Sequence, residues 1–198
     1  MAKRGKKKVG LPVVLSRIFD PIIEIPLILA GVVFIAMVNG MRWRFLTLLL
    51  FLDAVLPSLA FFYLIKTGKA GGWDVRNIEA RKLLFTFALF CNAAGVGMAY
   101  LINRHPFAEI LLTFWILGLI YVAVTYVWKI SVHMGVNSTL ASVGVVLLGK
   151  EWVWLFAVPL LVAWARIKTK NHDMLQVAIG GIIPVIVVPV LFNLLGVV

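Results

Sequence analysis

Seven runs of apolar residues, separated by short polar segments, dominate the chain. They cover residues 21–39, 45–65, 83–103, 108–128, 132–148, 152–165 and 174–198. A membrane-spanning helix needs about 20 apolar residues, within a range of about 17–25. The first four runs and the last are long enough, whereas the fifth is short and the sixth falls below the range. The pattern predicts an all-α integral membrane protein, a bundle of six to seven transmembrane helices.

The two short runs decide between six and seven crossings. They are separated by Gly149, Lys150 and Glu151, which form a polar turn. Two short helices joined there would return the chain to its starting side, with Arg166 extending its side chain to the interface. We therefore expect a hairpin and seven crossings.

The overall composition agrees with a membrane protein. Hydrophobic residues make up 63% of the chain and charged residues 14%, against roughly 45–50% and ~25% in soluble domains. These values exclude an ordinary water-soluble enzyme, a disordered chain and a disulfide scaffold. The single Cys91 cannot form an intrachain disulfide, and the sequence has no zinc-type ligand cluster. We expect a basic N-terminal segment, residues 1–19, followed by one transmembrane domain, residues 20–198.

Basic residues are distributed unequally between the two sides of the membrane. With seven crossings, fifteen of the 19 Lys and Arg residues lie on the side of the N-terminus, and the other four are Arg42, Arg44, Arg104 and Lys150. The positive-inside rule places the more basic side in the cytoplasm of a protein of the cell membrane. The net charge of +11 then reflects cytoplasmic loops and contacts with anionic lipid headgroups rather than nucleic acid binding.

Three polar clusters fall on this basic side, at residues 66–82, 129–133 and 166–176. They contain His133 and His172 beside several Lys and Arg residues. One guanidinium group can bind two phosphate oxygens through a pair of parallel hydrogen bonds. Histidine can act as a nucleophile or as a general acid–base. Convergence of the clusters would form a basic pocket suited to attack on a phosphoryl group, without a metal ion or cofactor.

The clusters resemble the type-2 phosphatidic acid phosphatase superfamily, which includes lipid phosphate phosphatases, glucose-6-phosphatase and vanadium haloperoxidases. The resemblance covers about residues 60–182. The first family motif reads K-x-x-x-x-x-x-R-P, and Lys69 and Arg76 have its spacing, with Asn77 in place of the proline. A branch of the family writes this motif as an Asp followed by a mixed-charge run ending in Arg. The segment DVRNIEARKLLF is similar to that form, which would make Arg81 the phosphate ligand, and both arginines stay candidates.

The second and third motifs read P-S-G-H and S-R-x-x-x-x-x-H-x-x-x-D. Ser131 and His133 match the second, and Arg166 and His172 match the third. The departures from these motifs are Ile130 for Pro, Val132 for Gly, Ala165 for Ser and Gln176 for Asp. The last change removes the charge that orients the family's nucleophilic histidine, although the Gln176 amide oxygen can still accept a bond from the ring.

The resemblance implies a role for each matched residue. His172 would be the nucleophile that forms a phospho-histidine, oriented by Gln176, and His133 would protonate the leaving group. The phosphate would be held by Lys69, by Arg76 or Arg81, and by Arg166, with a hydrogen bond from Ser131. The substrate would be a lipid phosphomonoester or diphosphate, such as a polyprenyl (di)phosphate, phosphatidic acid or phosphatidylglycerol phosphate.

Two other functions stay open at the sequence level. Val132, Asn77 and Gln176 favour a catalytically weak relative that binds anionic lipid or a protein partner. Glu24 and Asp53 lie within apolar runs, where carboxylates are costly and commonly functional, and they favour a small transporter. We expect Glu24 to reach the interface and Asp53 to pair with a basic residue of another helix. The expected partners are membrane lipids, and self-association into a homo-oligomer is compatible with the sequence.

Overall fold

The computed structural model describes residues 10–37, 40–102 and 105–198, and within these ranges the chain is helical without strands. The α-helices are α1 (Leu11–Ile18), α2 (Pro21–Ala36), α3 (Arg42–Leu49), α4 (Leu56–Lys66), α5 (Ile78–Leu101), α6 (Phe107–Val127), α7 (Val132–Leu148), α8 (Ala157–Lys168) and α9 (Met174–Leu194). A π-helical turn, Leu50–Val55, joins α3 to α4, and a 3₁₀ helix, Lys150–Phe156, precedes α8. Residues 1–9 of the expected basic segment, and Arg104, lie outside the described ranges.

Five helical stretches are long and apolar enough to cross a membrane. They are Leu11–Ala36, Arg42–Lys66, Ile78–Leu101, Phe107–Val127 and Met174–Leu194. Large apolar side chains such as Leu59, Phe90 and Leu160 lie exposed on outer faces. A bilayer favours such faces, because a helix satisfies its own backbone hydrogen bonds and presents apolar groups to lipid. The fold is therefore that of a multi-pass helical membrane protein.

The two short apolar runs form helices that turn back on each other. Helix α7 has 17 residues and α8 has 12, so both are shorter than the five long stretches. The turn between them begins at Gly149, whose φ of 111° favours glycine. Because His133 at the start of α7 and Arg166 near the end of α8 line the same cavity, the two helices run as a hairpin.

Small residues allow α9 to approach the start of α7 closely. A Cβ atom at Gly180 would lie 2.7 Å from the carbonyl oxygen of Ser131, so any larger residue would push the two segments apart. The hydroxyl of Tyr121 on α6 donates a hydrogen bond to the Gly180 carbonyl. Three helices are thereby held together next to the polar clusters of the sequence.

Three helices begin at this same end with side-chain caps. Asp20 accepts a hydrogen bond from the backbone of Ile22 in α2, Asn77 caps α5, and Asp173 caps α9. Such caps satisfy backbone N–H groups that have no partner inside the helix, and they fix where the helix starts. Asn77 occupies the place of the family's proline, and its cap sets the first turn of α5, which carries Arg81.

Candidate active site

The loops that connect the helices at this end contact one another through polar groups. Arg166 Nη1 lies 2.6 Å from Asp74 Oδ1, which ties the end of α8 to the loop before α5. Lys129 Nζ donates to the Asn171 carbonyl oxygen at 2.9 Å. The guanidinium of Arg81 donates to the carbonyl oxygen of Ile130. The three clusters that are separated by apolar spans in the sequence therefore meet in space.

A cavity of about 340 Å³ extends from this polar end into the apolar interior of the bundle. Four side chains that the family motifs predict line it, namely His133, His172, Arg81 and Arg166. Its remaining walls are mostly apolar and come from α2, α4, α5, α6, α7 and the π-helical turn. One cavity thus joins a cationic pocket to an apolar interior.

His172 lies between α8 and α9 and is mostly buried. Its Nδ1 atom is 2.8 Å from Oε1 of Gln176, one helical turn later. With Nδ1–H donating to that oxygen, the ring would present the lone pair of Nε2. Burial, together with the nearby charges of Arg166, Arg81 and Lys129, lowers the pKa of His172 to about 3, although the hydrogen bond to Gln176 acts in the opposite direction. The imidazole is therefore neutral at neutral pH, as a nucleophile must be.

His133 has a different partner. Its Nε2 atom lies 3.6 Å from Oδ2 of Asp20, the capping residue of α2. The same carboxylate oxygen accepts a hydrogen bond of 3.0 Å from the indole of Trp73 and lies 3.5 Å from Arg17. The two histidines of the cavity thus face different groups, a neutral amide at His172 and a carboxylate at His133.

Arg81 and Arg166 are deeply buried, with exposed fractions of 3% and 1%. In each guanidinium the Nε–H has no hydrogen-bond partner among the described residues. An unpaired donor of a buried cation is costly, and an anion in the cavity would satisfy it. Burial raises the pKa of Asp74, but the charge of Arg166 and its hydrogen bond outweigh burial and hold the pKa below its ordinary value. Asp74 is thus an ionised partner that fixes Arg166.

Three predicted phosphate ligands do not line the cavity. Lys69 and Arg76 are exposed in the loop before α5, and the Lys69 ammonium lies over the ring of Tyr63. Ser131 is fully buried, and its hydroxyl is unpartnered within the described part of the chain. Of the two alternative arginines, Arg81 is the one that the fold brings to the histidines.

Sequence reasoning missed the roles of Asp20, Trp73 and Asp74. Asp20 is followed by Pro21, and an Asp before a Pro at the start of an apolar run is a helix N-cap signal. That signal locates the start of α2 but not the neighbour of its carboxylate. The contacts of Asp20 with His133 and of Asp74 with Arg166 join segments far apart in sequence.

The intramembrane carboxylates also differ from expectation. Asp53 has no basic partner in the described ranges, and instead contacts Asn92 of α5. Glu24 lies one turn after Asp20 and is buried beside Asn137 rather than extended to an interface. Helix packing places polar amides against both carboxylates.

No protein-family model matches the chain, and neither a curated protein nor a solved structure matches it significantly. Among the described residues there is no group of three or more His, Cys, Asp or Glu side chains that could hold a metal ion. The chemistry of the site therefore has to be argued from its own residues.

Proposed function

We propose that this protein is an integral-membrane phosphatase that hydrolyses a lipid phosphomonoester or diphosphate. The proposal rests on one observation: the same cavity is lined by two histidines and two buried arginines at one end and by apolar side chains in its interior. A lipid phosphate has the same division, an anionic headgroup on an apolar chain. Polyprenyl (di)phosphates, phosphatidic acid and phosphatidylglycerol phosphate all have this form.

The two arginines hold the phosphate. Each guanidinium has an unpaired Nε–H among the described residues, and each is fixed by a second contact, Arg81 by the Ile130 carbonyl and Arg166 by Asp74. Pre-positioned cationic donors stabilise the charge that spreads over the phosphoryl oxygens in the transition state. The lipid chain extends into the apolar part of the cavity.

The two histidines carry out the reaction. Nε2 of His172 attacks phosphorus, the bond from phosphorus to the lipid oxygen breaks, and His133 donates a proton to that oxygen. A water molecule then attacks the phospho-histidine, His133 takes its proton, and the P–N bond breaks to release inorganic phosphate. The reaction needs no metal ion, because the arginines supply the positive charge.

The partners of the histidines fit these roles. A nucleophile must be neutral, and His172 faces the neutral amide of Gln176. A general acid must carry a proton. The carboxylate of Asp20 beside His133 acts in that direction, whereas burial of the imidazole and the nearby charge of Arg166 act against it. The two histidines thus differ in the charge of their partner, and on that difference the proposal assigns the nucleophile to His172 and the proton donor to His133.

The proposed function implies seven crossings. His133 and Arg166 must reach the same membrane face, so α7 and the segment Lys150–Lys168 each cross once, in addition to the five long stretches. Helix α7 rises about 26 Å over its 17 residues. That length nearly matches the hydrocarbon core, and local thinning accommodates the difference.

Phosphate release from short-chain lipid phosphates by the detergent-purified full chain tests the proposal. We expect release with and without EDTA, and its loss by several orders of magnitude in His172→Ala. His105→Ala is the matched control, because His105 lies outside the cavity, beside Glu109 at the start of α6. A folded wild-type protein that binds lipid phosphates without releasing phosphate would overturn catalysis and favour the binding alternative.

A further inference from the structure

A polar pair interrupts the apolar part of the cavity wall. Asp53 on the π-helical turn and Asn92 on α5 both line the cavity and contact each other. Asp53 is only 9% exposed. Its Oδ2 atom and the Asn92 Oδ1 atom have no hydrogen-bond partner within the described ranges. Neither residue takes part in the proposed phosphoryl chemistry.

The pair lies far from the cationic pocket. Asn92 follows Arg81 by eleven residues on the continuous helix α5, which corresponds to about 16 Å along the helix axis. Leu84 and Ala88 line the cavity between them on the same helix. A lipid whose phosphate contacts Arg81 would therefore pass apolar wall before its chain reaches Asp53 and Asn92.

The unsatisfied atoms define the chemistry of the missing partner. A carboxylate oxygen and an amide oxygen both accept hydrogen bonds, so the group that satisfies them must donate. Burying such atoms without a donor is costly. The π-helical turn that carries Asp53 adds a second indication, since π-helical segments inside helices occur frequently at functional sites.

We propose that Asp53 and Asn92 form a second binding subsite, which accepts a hydrogen bond from a hydroxyl group on the chain of the lipid. The inference rests on the proposed function in one respect, that the cationic pocket holds the phosphate end of the same molecule. It narrows the substrate class to lipid phosphates with a hydroxyl well down the chain. A hydroxyl closer to the phosphate, beside Leu84 and Ala88, would meet apolar side chains of α5 and lose hydrogen bonds to water.

Binding of alkyl phosphonates to the detergent-purified full chain tests the subsite, because their P–C bond resists hydrolysis. The series has one chain length and carries either no hydroxyl or a single hydroxyl at successive positions. We expect affinity to peak at one position deep in the chain, at least about tenfold above the unsubstituted compound. Hydroxyls nearer the phosphonate should weaken binding.

Two variants and one control test whether Asp53 and Asn92 cause the peak in affinity. Asp53→Leu and Asn92→Leu should each abolish the peak while keeping affinity for the unsubstituted phosphonate. Glu109→Met is the matched control, because Glu109 is a buried carboxylate of α6 that does not line the cavity. If one of the two variants does not fold, the other still decides.

The outcomes separate this inference from the proposed phosphatase activity. A flat affinity profile, or a peak that survives in a folded Asp53→Leu or Asn92→Leu variant, would overturn the subsite. Phosphate release from the corresponding unsubstituted alkyl phosphate is measured in parallel. A peaked profile without phosphate release would support the subsite and count against the phosphatase, and release with a flat profile would do the reverse.

Discussion

Arg81 and Arg76 form a matched pair of cationic side chains, five residues apart and on opposite sides of the helix cap at Asn77. Arg81 is buried against the cavity, whereas Arg76 is exposed. We expect Arg81→Gln to lower kcat/KM about 10²-fold to 10³-fold, the order of loss for one donor to a developing oxyanion. Arg76→Gln should stay close to wild type. Initial rates of phosphate release measure both, and equal losses would contradict the assignment of Arg81.

Substitution of Asp20 tests the role of His133 as the proton donor. Asp20→Asn keeps the shape of the helix cap but removes the negative charge beside the imidazole, which also faces Asp74 and Arg166. We expect kcat to fall about tenfold with little change in KM, and the basic limb of the pH–rate profile to move to lower pH. Asp173→Asn, at the cap of α9, is the control. An unchanged profile would exclude Asp20 as the partner of the general acid.

His172 makes stability depend on pH in a definite direction. Burial lowers its pKa to about 3 from an ordinary value of 6.5. Between these values the unfolded chain binds a proton that the folded protein does not, so stability decreases as pH falls through this window. We expect Tm to drop between pH 7 and pH 5 more in wild type than in His172→Gln, with up to about 1.4 kcal/mol per pH unit at stake. Parallel curves of Tm against pH would contradict the shift.

At the residue scale, the sequence predicts a contact when the two residues lie close together in sequence and have complementary chemistry. His172 and Gln176 are one helical turn apart, so their contact follows from spacing alone. The pairs His133–Asp20 and Arg166–Asp74 depend on how separate segments pack, which spacing cannot indicate. Lys69 matches the motif spacing but not the position, because the cap at Asn77 starts α5 after it and leaves Lys69 in an exposed loop.

At the scale of the elements, the proposed site depends on the α7–α8 hairpin. Single cysteines at positions 150 and 170, in a Cys91→Ala background, should react with a membrane-impermeant maleimide from opposite sides of sealed vesicles. The proposal requires this result, because a single crossing between His133 and Arg166 would divide the cavity. Labelling of both positions from one side would therefore contradict both the hairpin and the site.

The sequence predicted the positions of the long helices well, because a run of about 20 apolar residues has few alternatives in a membrane. It did not predict the 3₁₀ helix Lys150–Phe156 or the π-helical turn Leu50–Val55, since these depend on how neighbouring helices fill space. Residues 11–18, which fall within the expected basic segment, form helix α1, and this helix packs on α8. The buried residue of α1 is Ser16, whereas most of its large apolar side chains are exposed.

At the scale of the whole molecule, the distribution of basic residues predicts which side of the membrane the cavity faces. Fifteen basic residues lie on the cavity side and four on the other, if the chain crosses seven times. Six of the fifteen lie at or beside the motif positions of the three polar clusters and carry less weight as topology signals, namely Lys69, Arg76, Arg81, Lys129, Arg166 and Lys168. The nine that remain still exceed four, and five of them precede in sequence the first span, Leu11–Ala36, which usually dominates orientation. We therefore expect a cytoplasmic N-terminus and cavity, and a C-terminus on the far side.

Reporter fusions at Val198 measure this orientation directly. An alkaline phosphatase fused there should be active, because it folds only outside the cytoplasm, and a green fluorescent protein exported unfolded should be dark. A second fusion after Lys170, in the loop beside the cavity, should give the opposite pattern. If both fusions report reversed sides, the count of seven stands and the orientation is wrong. If both fusions report the same side, α9 does not cross the membrane, and the count of seven crossings is wrong.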